Sequence, residues 1–488
     1  MDQKKARLVE IVGTAGVVDS PGLGESFSLD RHLISPEPPS FLVKPSNVDQ
    51  VQRIVLWANE TGTPLVPSSS GPPHLRGGTL PTAPGAVVVD LSGMKRILKI
   101  NRRNRLAVIE PGVTYSELQP ELQREGLRII TPLLPRLTKS VIASLLERDA
   151  IISPRYQWTL LEPLRSLEIV WGNGEKFYSG TGFLWSERDE DWDEGQVPLQ
   201  GPGPAQLDYY RLVSGAQGGM GIVTWASVKC EVFAERRKLF LAPAKKLESL
   251  IDLAYRLLRS RFGDELFIVN NACLAYLLSA GGRDVESRRA VLPPWTLVVG
   301  VTGGNVLPDV KVARRESDMR QMAEAGGLDI RAALDGCDGD ALLELLLKPS
   351  AEPYWKVRYR GASHELFFMT TLDRTPGYVS TVASAAAERS YPDADLGVYI
   401  QPAQQGVCCH CEFILPFDRG SPDEVKRTLA VFRDASKRLF EQRAYFSRPY
   451  GMWASMVYEA DPRTTAVTRK MKGIFDPNQV MNPGKLCF

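Results

Sequence analysis

Five consecutive residues, Cys408-Cys409-His410-Cys411-Glu412, gather thiol, imidazole and carboxylate groups in one place. A metal centre needs ligands that converge on one point, whereas neighbours on a strand point to opposite faces. Cys409 and Cys411 would share one face, with Cys408, His410 and Glu412 on the other. No C-x-x-C pair exists elsewhere in the chain. The expectation is buried thiols beside a site and no metal centre. A second stretch, residues 68–78 (SSSGPPHLRGG), is polar and glycine-bearing and follows the strand-like Leu65-Val66-Pro67. Such a loop can turn backbone N–H groups toward a pyrophosphate, because glycine permits close approach. Its spacing matches neither GxGxxG nor GxxxxGKS, which excludes a Rossmann fingerprint and a P-loop. A plain structural turn stays open as the other reading. His32, His74 and His364 are isolated, and none joins a nucleophile motif.

The elements that would position these groups follow from composition and pattern. The 488 residues are 43% hydrophobic with a formal charge of +2, which points to two or three cored units and away from a nucleic-acid binder. No apolar run approaches the ~20 residues of a membrane span. The N-terminus lacks the apolar core of a secretion signal, and the 7 cysteines form no paired framework. A cytoplasmic protein is expected. Residues 1–37 read as a lead-in arm. From Phe41 short strands (Phe41-Leu42-Val43, residues 86–91, residues 106–109) alternate with helices, the first capped at Ser46-Asn47 and closed by Gly62. Leu167-Glu168-Ile169-Val170-Trp171 followed by Gly172-Asn173-Gly174 reads as a strand and tight turn, a hairpin signal, and the acidic, then Pro/Gly-rich 186–204 as an exposed insertion. After about residue 238, amphipathic helices near 244–262, 309–326, 339–348 and 423–442 alternate with apolar strands, as in a helix-covered antiparallel sheet.

Several ordered motifs then carry a resemblance. Val87-Val88-Val89-Asp90-Leu91-Ser92-Gly93-Met94, a strand, and Glu110-Pro111-Gly112-Val113 are followed by Glu168-Ile169-Val170 with Gly174. Gly218-Gly219-Met220-Gly221-Ile222-Val223-Thr224 comes next, and Phe475-Asp476-Pro477-Asn478 with Asn482-Pro483-Gly484-Lys485 closes the series. The series resembles the FAD-linked family of vanillyl-alcohol oxidase and p-cresol methylhydroxylase, more distantly glycolate oxidase. The resemblance implies an α+β protein: a PCMH-type FAD-binding domain over 38–238, an α+β cap domain with an antiparallel sheet over 239–439, and a segment, 440–488, returning to the first domain. It implies FAD contacts from Ser69, Ser70, Gly71, Gly77, Gly78, Pro111, Gly112, Gly218, Gly221, Ile222, Asn482 and Lys485. Tyr399, with Asp395 as acidic neighbour, falls where relatives tether the flavin; a bond and simple packing both stay open.

The departures matter as much. Pro72-Pro73 replaces smaller residues in the first loop, and residues 135–148 lack the family's glycine pair. The alkylphenol branch implies Glu147 near the reactive flavin nitrogen and Arg448 as substrate anchor. Two branch tyrosines correspond to Ser447 and Arg76, so two arginines are expected to favour a fixed anion such as a carboxylate over a phenol. Glu147 or His410 is the expected proton handler. The implied activity is FAD-dependent hydride removal from a small anionic aromatic or hydroxy-acid substrate. The alternatives are an alkylphenol or benzylic-alcohol oxidiser, a 2-hydroxyacid dehydrogenase, and a flavin-less assembly subunit. A cytochrome or iron–sulfur subunit as electron acceptor and a homo-oligomer are further partner expectations.

Overall fold

The computed structural model describes residues 3–19, 37–155, 163–185, 203 and 208–488. His32 and nearly all of the 186–204 insertion lie outside them. Residues 3–19 correct the expectation of an arm. Gln3–Val12 is a helix burying Leu8 and Ile11, and Val17–Val18 pairs antiparallel with Phe41–Val43 as the edge of the first sheet. That sheet runs Val17–Val18, Phe41–Val43, Val87–Asp90, Leu65–Ser68, its last three strands parallel. Parallel strands need a crossover, and the helix Val48–Thr61 supplies the one that joins Phe41–Val43 to Leu65–Ser68, the two strands that flank Val87–Asp90. Asn47 caps it by accepting from the Gln50 N–H at 3.0 Å, and Gly62 ends it at φ 60°, a left-handed conformation that suits glycine. Met481 forms a parallel bridge with Leu65, so residues near the C-terminus lie alongside the strand that leads into the 68–78 loop.

A second, antiparallel sheet orders Ile97–Asn101, Leu106–Ile109, Gly221–Lys229, Leu164–Trp171 and Lys176–Tyr178. The third runs Arg237–Ala244, Trp295–Thr302, Leu266–Asn270, Gly397–Ala403, Cys408–Asp418, Gly361–Thr370, antiparallel throughout. Its two-residue alternation divides the side chains between two cores. Ile268, Val398, Ile400, Cys409 and Cys411 enter an apolar core with the helices Glu248–Arg259, Thr375–Glu388 and Pro422–Glu441. Phe267, Val269 and Tyr399 face the core shared with the second sheet. The thiols and the His410–Glu412 pair therefore part to opposite faces, as the strand pattern requires. Helices that sequence patterning does not reveal include Asn271–Leu278, apolar almost all round, and Thr375–Glu388, rich in small residues. Neither has the one-sided stripe by which a helix is recognised.

Candidate active site

Between the 68–78 loop and the inner face of the third sheet lies one continuous cavity of about 1550 Å³, its solvent-open part included. One end is walled by small groups and backbone: Ser69, Ser70, Gly78, Pro111, Gly218 and Gly221 with Ile222. Gly218 has φ 73°, and a Cβ there would stand 2.4 Å from Pro67, so the residue is fixed by conformation and by space. The Ser140 N–H donates to Ser70 Oγ at 3.1 Å, joining the two loops expected to face a phosphate. A serine- and glycine-walled end that lets backbone approach closely, next to an end lined by charged side chains, suits the phosphates of a dinucleotide together with a small polar substrate. The residues present therefore fit FAD.

The sequence-expected cofactor residues divide. Ser69, Ser70, Gly78, Pro111, Gly218, Gly221, Ile222 and Tyr399 line the cavity, whereas Gly71, Gly77, Gly112, Asn482 and Lys485 do not. The latter shape its wall. A Cβ on Gly112 would lie 2.6 Å from the Met94 and Ser92 carbonyl oxygens. Lys485 is buried and donates to the Gly77 and Leu80 carbonyls at 2.9 and 2.7 Å, and Asn482 donates to Gly78 and Gln217. Burial pulls the Lys485 ammonium pKa down to about 8.

The other end of the cavity is a closed circuit of charges. Arg76 pairs with Asp149 and, at 3.4 Å, with Glu365. Lys356 joins Glu365 at 3.1 Å and also contacts Glu412. Glu412 lies 3.0 Å from His410 Nε2, and Arg448 Nη2 lies 3.1 Å from His410 Nδ1. Arg448 Nη1 returns to Asp149 at 3.5 Å. Both guanidiniums also lie over Phe367, 5.0 and 4.2 Å from its centroid. Arg76, Lys356 and Arg448 are thus matched one for one by Asp149, Glu365 and Glu412. An arginine only donates, so His410 Nδ1 must accept and Nε2–H must donate to Glu412. Burial lowers the His410 pKa to about 4, which keeps the ring neutral. Burial alone would raise the Asp149 and Glu412 carboxyls, but Arg76, Lys139 and Arg448 together around Asp149, and Lys356 with the His410 hydrogen bond at Glu412, outweigh it and hold both well below the usual range.

Several expectations change here. Glu147 lines the cavity, its side chain one-third exposed, pairing with Lys139 at 2.6 Å and reaching Arg76 at 3.5 Å; the buried carboxylate that contacts both arginines is Asp149. Both nitrogens of His410 are engaged, so it holds Arg448 and Glu412 in place and is not a free proton acceptor. Asp395 pairs with Arg289 and Arg360 and does not line the cavity. The expected loss of tyrosine donors is offset from other positions. Tyr354 and Tyr450 line the cavity and their hydroxyls make no hydrogen bond with the described residues, while Tyr399 donates to Gln401 Oε1 at 2.8 Å. Burial raises the Tyr354 and Tyr450 pKa values, so both hydroxyls keep their protons as donors. His74, isolated in sequence, also lines the cavity, its pKa lowered to about 3 by burial. Sequence reading misses Lys356 and Glu365 as well; alternation within their strands and helices offers no signal that they meet.

Two domain families match: an FAD binding domain over residues 39–176, and the C-terminal domain of FAD linked oxidases over residues 450–486. An FAD-linked oxidoreductase of Mycobacterium tuberculosis is 21% identical over 490 residues, covering 99% of each chain. The flavoprotein subunit of 4-cresol dehydrogenase (hydroxylating) from Pseudomonas putida is 22% identical over 475 residues, covering 92% of this chain and 87% of the relative. The solved 4-ethylphenol oxidase of Gulosibacter chungangensis superposes with a TM-score of 0.83 at 19% identity, covering 99% of this chain and 97% of that one. The fold is therefore of the PCMH type, and the cofactor is FAD. No helix among the described residues is long and apolar enough to cross a membrane.

Proposed function

Because the chain belongs to the FAD-linked oxidoreductases, we propose that it oxidises a small substrate through an ionisable hydroxyl, as in a phenol or a hydroxy acid. The observation that carries this is a pair of tyrosine hydroxyls with no hydrogen-bond partner among the described residues, Tyr450 beside Arg448 and Arg76, and Tyr354 beside Lys356 and Arg76, both lining the cavity. Bound FAD supplies the hydride acceptor. Ser69, Ser70, Gly78, Gly218 and Gly221 would hold it, with Tyr399 beside its ring.

The chain's own residues do the rest. The 3.5 Å contact between Arg448 and Asp149 is the longest link of the circuit, and a substrate oxygen seated there would receive from Arg448 and Tyr450 and donate to Asp149. As the hydride leaves, the substrate carbon becomes electron-poor, and an oxygen whose proton is drawn toward Asp149 feeds electron density to it. Asp149 is a weak base because of its cationic neighbours, so it acts by accepting this hydrogen bond, and Arg448 balances charge on the oxygen. His410 keeps Arg448 aimed. The circuit is neutral overall, which favours a weakly acidic hydroxyl over a permanent anion at this position. The relative named as a flavoprotein subunit supports a separate electron-accepting chain as partner.

Anaerobic mixing with 4-alkylphenols and with 2-hydroxy acids, followed at the flavin absorbance, tests the reading. Bleaching by one class, slowed strongly in Tyr450→Phe, is expected. Equal inertness to both classes would overturn it.

A further inference from the structure

With the circuit balanced and Lys139 matched by Glu147, one cation lining the cavity has no carboxylate partner among the described residues: Arg136. Its residue is 8% exposed, and it lines the cavity near Tyr354. Its side chain makes a single hydrogen bond, Nη1 to the Gly71 carbonyl at 3.2 Å. Among the described residues no carboxylate lies within 4.0 Å of it. Burying a guanidinium without a counter-charge is costly, and the cost is retained in a fold only where something offsets it. The guanidinium stands where residues 135–148, without a glycine pair, meet the 68–78 loop with its Pro72-Pro73. Both segments depart from the glycine-rich pattern that the resemblance implies, which leaves their backbone less freedom to approach an anion.

We propose that Arg136 is an anion subsite of the cavity, separate from the Arg76–Arg448 circuit, and that it binds a ligand's anionic oxygen group. Two ligands bring that chemistry into this space: the pyrophosphate of FAD, and a carboxylate borne by the substrate in addition to its hydroxyl. In the first case the side chain does what glycine-loop amides would otherwise do; in the second it selects acidic substrates. The inference does not rest on how the circuit seats a hydroxyl, since Arg136 stands outside it.

The test compares wild-type protein with Arg136→Gln in two titrations. The first reconstitutes the apoprotein with FAD and reads the dissociation constant from flavin fluorescence. The second adds benzoate or benzamide, a charged and a neutral probe of one shape, to the holoprotein and reads each constant from the flavin difference spectrum. A lost charge-assisted contact corresponds to about 10- to 100-fold in affinity. If pyrophosphate is the ligand, FAD binding weakens by that factor and the benzoate-to-benzamide ratio stays as in wild type. If a substrate carboxylate is the ligand, FAD binding is unchanged and the preference for benzoate disappears. Unchanged values in both titrations overturn the proposal. Should Arg136→Gln fail to fold, Arg136→Lys carries the same comparison, with a smaller loss because a point charge lacks the forked donor geometry.

Discussion

Replacing His410 by asparagine probes the circuit through pH. In the folded chain His410 titrates at about 4 against an ordinary 6.5, because burial penalises the charged ring. The folded state thus binds this proton less readily than the unfolded chain does. Stability from the neutral ring is fully present above pH 6.5, falls as the pH drops below it, and stops falling near pH 4. The whole depression is worth about 3 kcal/mol, and about 2 kcal/mol of it is lost by pH 5. An unfolding entropy of about 2.1 cal/mol/K per residue over 488 residues gives about 1 kcal/mol/K, so the loss by pH 5 equals about 2 °C in Tm. Asparagine keeps a carbonyl oxygen to accept from Arg448 but cannot titrate. Melting of FAD-loaded protein at pH 7.5 and 5 should show a wild-type drop about 2 °C larger than that of His410→Asn. His74, also depressed by burial, is present in both proteins and cancels. Curves that fall in parallel would refute a neutral, buried His410.

Arg448→Ala should lower kcat/KM by about 2–4 kcal/mol, with partial rescue by lysine; flavin-normalised kinetics that show no change would end its role as anchor. Acid precipitation should release the flavin, because the Tyr399 hydroxyl is already engaged by Gln401. A yellow pellet would instead indicate a tether, and Tyr399→Phe should then remove the colour. Lys485→Met deletes two buried hydrogen bonds to the Gly77 and Leu80 carbonyls and should weaken FAD retention, measured by fluorescence of flavin released on dilution.

The sequence was most legible where chemistry is local. The Asn47 cap, the Gly62 stop and the division of Cys409 and Cys411 from His410 and Glu412 each follow from a few neighbouring residues and a fixed period. The family motifs extended that reach to the cofactor. The circuit was legible only in part, because its members come from five separated stretches and meet solely through tertiary packing. Motif position points to Glu147, yet Asp149 lies two residues on, and the one nearer the arginines is decided by how the chain turns at Arg148, whose φ is 58°. Tyr450 and Tyr354 escaped notice because a hydroxyl can be supplied to one point from unrelated positions.

The hydrogen bonds from Lys485 to the 68–78 loop and the bridge from Met481 to Leu65 also order events in time. Lys485 and Gly77 are 408 positions apart. At roughly 5–20 residues per second on the ribosome, Gly77 waits about 20–80 s for its partner to be synthesised. Over that interval the first sheet lacks Met481 and the loop carbonyls lack their donor, so the nascent chain is expected to hold flavin poorly. Cofactor capture then becomes an event that follows synthesis of residues 481–485, and the supply of free FAD after that point, more than before it, governs how much protein matures loaded.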